Sequence, residues 1–514
     1  MHNTSPSLRQ LTAVLAVAGA VSPLTAVAAA SNSIVPVRAP IHLNLTGHIP
    51  ADDVLKFVYA DFEVPEGTTS ISVLQKYSNK EKGNALDLGC WDQRSRDLAG
   101  LNDFTVGFRG WSGGARNNFT ITPGGASPGY IAGSIEPGTW SVLLGPYKSV
   151  AEGIDYELNV ELGFEPVTSF FEESFAPSRI ESDERDGPGR NFQPTVYDDR
   201  DRLVWYRGDF HVHTVYSDGK QTPQTVVGLA QAANLSFFFS TDHNTQSSNL
   251  IWGTVAPEDM LIGRGIEVTT RAGHWNALGL NWNDWVEFRY GKNDDAVHGA
   301  AVTKVQKHDG LAIINHPFTW KDCLACDWGF SYDNMDGIEV WNGPWDESDE
   351  NAVKKWHELL VDGRKIVAIG GSDYHDSPSV VGVPTTVVGS TALSTASILD
   401  GLRASRAYLV RDSKIDIRFT VQRLLHGDVA EIGDRVKRNM GLTPLLATLE
   451  IEGLPKGSRV KFISNKGTIH EERIRSDRPR KLQTKIGKHV RFTRVEVRDQ
   501  DGSMQALTNP IWIE

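Results

Sequence analysis

Histidines and carboxylates in this chain gather at the ends of apolar runs. Leu203-Val-Trp-Tyr leads into Asp209-Phe-His211-Val-His213, and Leu235-Ser-Phe-Phe-Phe leads into Thr241-Asp242-His243. Met260-Leu-Ile leads into Gly265-Ile-Glu267, and Leu311-Ala-Ile-Ile into Asn315-His316-Pro317. Ile366-Val-Ala-Ile ends in Gly370-Gly-Ser-Asp373-Tyr-His375. Residues two apart on a strand face the same side, so His211 and His213 can grip one ion. Asp373 and His375 can do the same if their backbone stays extended. Neutral imidazole beside anionic oxygen is what first-row divalent ions take, with zinc, manganese and iron all compatible. A lone histidine after a strand is usually a satisfied polar residue, and a lone His-x-His says little. Histidine makes up 15 of 514 residues, so such residues at five successive run ends are not expected by accident. A metal site is therefore expected. His274 joins the candidates because a hairpin-like return after Glu267 would bring it beside that carboxylate. His42, His48, His298, His308, His357, His426, His470 and His489 read as surface or packing residues.

Positioning these groups requires strands that deliver their C-terminal ends to one rim. Across residues 201–411 strand-like runs alternate with helical ones. Thr222-Pro223 begins one helix with a cap and a proline at its first position. Asp346 to Asp362 forms another, with Ala352, Val353, Trp356, Leu359 and Leu360 on one face. That alternation implies an α/β parallel sheet or barrel. Residues 35–165 alternate apolar and polar positions between Gly, Pro and Asn clusters, which predicts an antiparallel β-sandwich. Residues 166–200 have linker composition, and 412–514 are β-rich.

With 40% hydrophobic and 23% charged residues, the chain is of ordinary globular composition. Its formal charge of −12, without basic blocks, argues against a nucleic-acid polymer as partner. Arg9, the apolar Leu11–Ala20 run and Ala26-Val-Ala read as a signal peptide within residues 1–30, so a secreted or periplasmic protein is expected. No later segment is apolar enough for a membrane span. Of three cysteines, Cys90 stands alone, and Cys323 and Cys326 are expected to pair as a local disulfide in an exported chain. Asn44, Asn118 and Asn234 head glycosylation sequons, which matter only in a eukaryotic route.

His211-Val-His-Thr-Val-Tyr-Ser-Asp218-Gly, Thr241-Asp-His243, Glu267, His316-Pro and Asp373-Tyr-His375 together resemble the successive motifs of the PHP (polymerase and histidinol phosphatase) superfamily. Glu267-Val-Thr-Thr, Gly273-His-Trp-Asn-Ala-Leu-Gly, Ile338-Glu-Val-Trp-Asn-Gly and Gly370-Gly-Ser-Asp-Tyr-His resemble its carbaryl-hydrolase-type (CehA/McbA) branch. Phe108-Arg-Gly-Trp-Ser-Gly-Gly-Ala-Arg and Gly138-Thr-Trp-Ser-Val-Leu-Leu-Gly-Pro-Tyr are similar to that branch as well. The resemblance spans roughly residues 85–410. It implies a distorted (β/α)7 barrel, flanked by the N-terminal β-sandwich and the C-terminal β-rich segment, with two or three divalent metal ions. By position, a first ion would take His211, His213, Glu267 and Asp373. A second would share Glu267 and add His274 and His316. A third would use Asp218, His243 and His375.

The implied chemistry is hydrolysis of a small-molecule ester: a metal-activated hydroxide attacks a phosphoester, or alternatively a carbamate or carboxyl ester. Metal binding can lower the pKa of water from 15.7 to about 7, on the order of 12 kcal/mol toward hydroxide. Asp373 would steer the attacking water, and His375 or His243 would protonate the leaving group. Arg271, Trp275, Asn276, Trp320, Trp341, Asn342 and Trp345 are candidate rim residues, with loop packing as the plain alternative. Two rival readings stand beside this one. An amidohydrolase would usually bridge its metals with a lysine, where this chain has Glu267. A non-catalytic secreted binding protein would tolerate a degenerate ligand set.

Overall fold

The structure is a computed structural model and describes residues 38–94, 96, 107–180, 203–282, 284–318, 323–423, 426–438, 444–476 and 478–514, with only the backbone of 426–428. The expected signal peptide, most of the linker and Trp320 lie outside the described residues.

The N-terminal part is two antiparallel sheets. One is five-stranded, in the order 41–49, 154–163, 70–77, 118–122, 125–126. The other is four-stranded, in the order 58–64, 138–148, 85–91, 108–113. Ile41–Ile49 shows why such strands form, because its side chains alternate between partly buried and exposed along its length. Ile71, Val73, Leu158 and Val160 of one sheet meet Leu86, Leu88, Trp140 and Val142 of the other in a common core.

A fifteen-stranded sheet holds the candidate site. Its relevant strands are β1 (Val204–Val212), β2 (Phe237–Ser240), β3 (Leu261–Thr269), β4 (His274–Leu278), β5 (Leu311–Ile314), β6 (Gly337–Asn342), β7 (Val367–Gly371), β8 (Thr385–Ser390) and β9 (Ala407–Val410). They lie in the order β7-β6-β5-β4-β3-β2-β1-β8-β9, and the sheet continues into strands 504–508, 492–498, 459–464 and 467–473. β2, β5 and β7 are buried along their whole length, matching their unbroken apolar sequence. A separate four-stranded sheet, 426–431, 416–423, 445–452 and 480–486, packs beside this extension.

The expected (β/α)7 barrel is not what forms. The molecule is mostly β, and among the described residues it has four α-helices: α1 (Pro223–Ala232), α2 (Asp295–Lys307), α3 (Glu347–Val361) and α4 (Thr395–Arg403). A β/α barrel needs parallel strands throughout, each followed by a helix. Here β3 and β4 make an antiparallel hairpin, β4 is antiparallel to β5, and β1 is antiparallel to β8. Among β1 to β9 only the pairs β1–β2, β2–β3, β5–β6 and β6–β7 are parallel. The result is a curled, open half-barrel. The hairpin arises at Thr270-Arg-Ala-Gly273, where Gly273 has φ +111°, a conformation glycine adopts without penalty.

The curl still brings β7 back beside β1, with a parallel bridge between Val212 and Tyr374. Side chains stand in for the missing backbone ladder along β7. Thr386 Oγ1 accepts from Gly370 N at 2.8 Å and donates to Gly370 O at 2.7 Å. Asn509 Oδ1 accepts from Ala368 N at 2.9 Å, and its Nδ2 donates to Ala368 O and Ala407 O at 2.8 and 3.0 Å. Of the two sequence-read helices, α1 is capped by Thr222 and carries Pro223 at its start. In α3 the Asp346 capping box holds the first turn, and Ala352, Val353, Trp356, Leu359 and Leu360 are buried, as their spacing implied.

Candidate metal centre

His211 lies in β1 and His213 one residue beyond it, both wholly buried. Strand geometry points both rings the same way. Their Nε2 atoms lie 3.4 Å each from Glu267 Oε2, and 3.2 and 3.0 Å from Asp373 Oδ1. Glu267 comes from β3, is wholly buried, and touches histidines on both sides. Its Oε1 is 3.2 Å from His274 Nδ1 at the start of β4 and 3.2 Å from His316 Nε2 beyond β5. The hairpin return does bring His274 beside Glu267: His274 pairs in register with Thr269. On the other side, Asp218 Oδ1 lies 3.5 Å from His243 Nε2 and 3.0 Å from His375 Nε2. His243 Nδ1 is 2.8 Å from Glu267 Oε2, so this cluster adjoins the first.

Three ligand groups therefore assemble around one carboxylate: His211, His213, Glu267 and Asp373; Glu267, His274 and His316; and His213, Asp218, His243 and His375. All nine residues expected from the sequence meet there. A divalent cation fits the first group on direct grounds. His211 Nε2, His213 Nε2, Glu267 Oε2 and Asp373 Oδ1 are buried and, among the described residues, make no well-aligned hydrogen bond, although they lie within ion-pair distance of one another and of His243. Buried polar atoms without hydrogen bonds cost about 1–3 kcal/mol each, and four of them aimed at one another are the chemistry of a ligand cage.

The local charges agree. Burial opposes ionisation of Glu267, but His243, His211 and His274 outweigh it and hold its pKa well below the usual carboxylate value. Burial likewise opposes ionisation of Asp373, and His211, His213 and His375 outweigh it in the same direction. Burial and then the neighbouring His375 and His243 push His213 down to about 4, leaving it neutral. Burial also opposes charge on His243 and His375, yet Glu267 and Asp218 raise His243 to about 9, and Asp218 and Asp373 raise His375 to about 10. Without a cation the carboxylates are thus neutralised by protons on imidazole, which metal ions displace on binding.

One local expectation is corrected. Asp373 is not extended: it lies two residues past β7 with φ +47°, in the left-handed region. Asp373 and His375 therefore do not share a strand face. The turn puts Asp373 into the first group and His375 into the third, and His375 Nδ1 donates to Asp373 O at 2.8 Å. His316 also leaves its strand with positive φ, +22°. Such residues concentrate at functional sites.

Several supporting residues escape a sequence reading. Glu339 of β6 accepts from His211 Nδ1 at 3.1 Å through Oε1, and from His316 N and Asn342 Nδ2 at 3.0 and 2.9 Å through Oε2. It also forms a possible ligand group with His211 and His316, but both its oxygens are already engaged in orienting those residues. Asp209 ties together three backbone amides, of His211, Ser372 and Gly382, at 2.8–3.1 Å. Asp242 accepts from Thr214 N and Ser217 Oγ, both at 2.8 Å, fixing the turn that carries Asp218. The Asp-Phe-His-Val-His and Thr-Asp-His strings contained Asp209 and Asp242, so these two were visible as motif members.

Of the rim candidates, Trp275, Asn276 and Trp341 are buried and pack the core. Trp275 donates to Tyr290 Oη and Asn276 to Phe210 O. Arg271 pairs with Asp87 of the N-terminal part at 3.2 Å. Asn342 and Trp345 do line the cleft beside His316 and Asp373. Cys323 and Cys326 form the expected disulfide, which also borders that cleft, with Cys326 Sγ 3.8 Å from His274 Nε2.

No protein-family model matches the chain, and no curated protein matches it. Among solved structures, a two-domain protein from Bacteroides vulgatus containing a predicted PHP-like metal-dependent phosphoesterase is similar at 18% identity, covering 63% of this chain and 100% of that one, with a TM-score of 0.36. An amidohydrolase from Chromobacterium violaceum, with bound sulfate and no metal, is similar at 17% identity over 34% of this chain and 89% of that one, with a TM-score of 0.25.

Proposed function

We propose that this chain is a divalent-metal-dependent hydrolase of the PHP type that cleaves phosphoesters. The observation that carries the reading is the convergence of four buried, hydrogen-bond-free ligand atoms on His211, His213, Glu267 and Asp373. The sequence motifs around the same residues support the PHP assignment and its carbaryl-hydrolase-type branch. His211, His213, Glu267 and Asp373 would hold one ion, and Glu267, His274 and His316 would hold a second. Asp218, His243 and His375, with His213 in reach, offer a third place. A divalent ion such as zinc, manganese or iron held there would supply a lowered water pKa and positive charge against the phosphoryl oxygens. Asp373, with Oδ2 3.3 Å from Asn342 Nδ2, orients the attacking water. With the third group unfilled, His375 or His243 gives its proton to the leaving oxygen. Export belongs to the same reading, supported by the signal-like residues 1–30 and by the disulfide.

Carbamate or carboxyl ester hydrolysis is the second reading, favoured by the same resemblance. The test replaces His211 and His213 together with alanine. Metal content should fall by at least one ion per chain, and hydrolysis of aryl phosphates by at least about a thousandfold. Aryl carbamates assayed in parallel separate the two readings. Full activity in the double variant would sink both.

A further inference from the structure

The metal groups lie where two lobes of one cleft meet. The first lobe, about 400 Å³, is walled by Phe57, Trp111 and Tyr147 of the N-terminal sandwich. The second, about 520 Å³, is walled by Asn342, Trp345 and Ser348 at the start of α3. His243 and His274 line both lobes, Asp218 lines the first, and Glu267, His316, Asp373 and His375 line the second, so the ligand groups open mainly into the second lobe and border the first. Each lobe alone falls within the roughly 300–1,000 Å³ of ordinary ligand pockets. A phosphomonoester has a substituent on one side of its phosphorus only and would leave one lobe to water.

Both walls mix aromatic rings with polar groups, and they differ in which groups they offer. On the sandwich side the half-buried rings of Phe57 and Tyr147 line the lobe together with the Asp87–Arg271 ion pair and Lys220, while Trp111 at its floor is only 4% exposed. Phe57 and Trp111 meet edge to face at 6.0 Å, and Arg271 lies 4.8 Å over the Phe57 ring. Tyr147 Oη is held by Cys323 Sγ at 3.1 Å, which fixes the ring against the disulfide loop. Such surfaces take planar groups. On the α3 side a half-buried Trp345 is mixed with amide and hydroxyl groups, which suits a more polar substituent.

We infer that the substrate is a phosphodiester spanning both lobes, with a planar substituent against the sandwich wall. The inference rests on the hydrolase reading above and narrows it. Water adds its oxygen to phosphorus, one ester P–O bond breaks with its electron pair, and the departing oxygen takes a proton. The products are a phosphomonoester and an alcohol. The N-terminal sandwich is on this view part of the substrate site.

The test uses the full metal-reconstituted chain with bis(4-nitrophenyl) phosphate and 4-nitrophenyl phosphate, which share a leaving group. The diester should have the higher kcat/KM, by about twofold to tenfold, since one aromatic contact contributes about 0.5–1.5 kcal/mol. Trp345→Ala and Tyr147→Ala, one per lobe, should each lower the diester-to-monoester ratio about twofold to tenfold. A preference for the monoester, or ratios unmoved in both variants, overturns the two-lobe inference and leaves the hydrolase standing. Metal-loaded protein that cleaves neither compound overturns the phosphoesterase reading itself.

Discussion

His211 can offer Nε2 to a cation only when its Nδ1 carries the proton, and Glu339 fixes that choice from 3.1 Å. The same carboxylate holds the His316 amide, so one residue orients ligands of two groups. Glu339→Gln keeps the shape and an acceptor but removes the charge that makes imidazole a stronger donor. Metal affinity should fall about 10- to 100-fold, read by competition with a fluorescent chelator. An unchanged affinity would show that Glu339 does not tune the site. Seven of the nine ligand candidates were legible because they follow apolar runs and carry a metal-binding atom, whereas His274 needed an assumed chain reversal and Asp218 came only with the family resemblance. Glu339 was visible only as a member of the Ile338-Glu-Val-Trp-Asn-Gly motif, and its role was not legible because its partner His211 is 128 residues away.

Helix α3 was legible nearly to the residue, since its cap and its apolar face are both local signals. The β3–β4 hairpin was only half legible. His274 could be suspected of folding back, but not that this reversal replaces a barrel unit. Nor could the left-handed turn at Asp373 be read, because tertiary contacts impose it. Helix α2 adds a group with a definite pH signature. His298 is buried, stacked on Phe330 at 4.3 Å, with Nδ1 3.3 Å from Tyr290 Oη and no hydrogen-bond partner for Nε2. Burial pushes its pKa down to about 4, against about 6.5 in an unfolded chain. The unfolded state therefore binds the extra proton between pH 6.5 and 4, and stability falls as pH drops through that window. The loss from this one group approaches about 3 kcal/mol at pH 4. In His298→Phe, urea unfolding at pH 7 and pH 4 should show an acid loss smaller by that amount. Equal acid losses in the two proteins would refute the assignment.

At the scale of the molecule, the ligands converge although the sheet that carries them does not close. Strand alternation in the sequence implied closure, because local patterns cannot report which strand ends remain unpaired. What completes the curl is supplied from elsewhere. Asn509, beyond the strand at 504–508, makes three hydrogen bonds that span β7 and β9. It is wholly buried, so its partners have no water to turn to. The C-terminal part of the chain is thereby tied to the strand that ends in Asp373. Asn509→Leu conserves volume but strips the side-chain partners from Ala368 N and Ala368 O, while Ala407 O keeps the residue-509 backbone N–H at 3.2 Å. Leaving the two Ala368 groups unpaired costs about 1–3 kcal/mol each, so stability should fall by on the order of 3 kcal/mol. Because β7 also places Asp373, zinc retention during dialysis against a weak chelator should fall in the same variant, although residue 509 touches no ligand. A variant that loses stability yet retains zinc normally would confine Asn509 to folding. One with an unchanged unfolding midpoint would mean that Thr386 and the β6 ladder hold β7 in place without help from the C-terminal part.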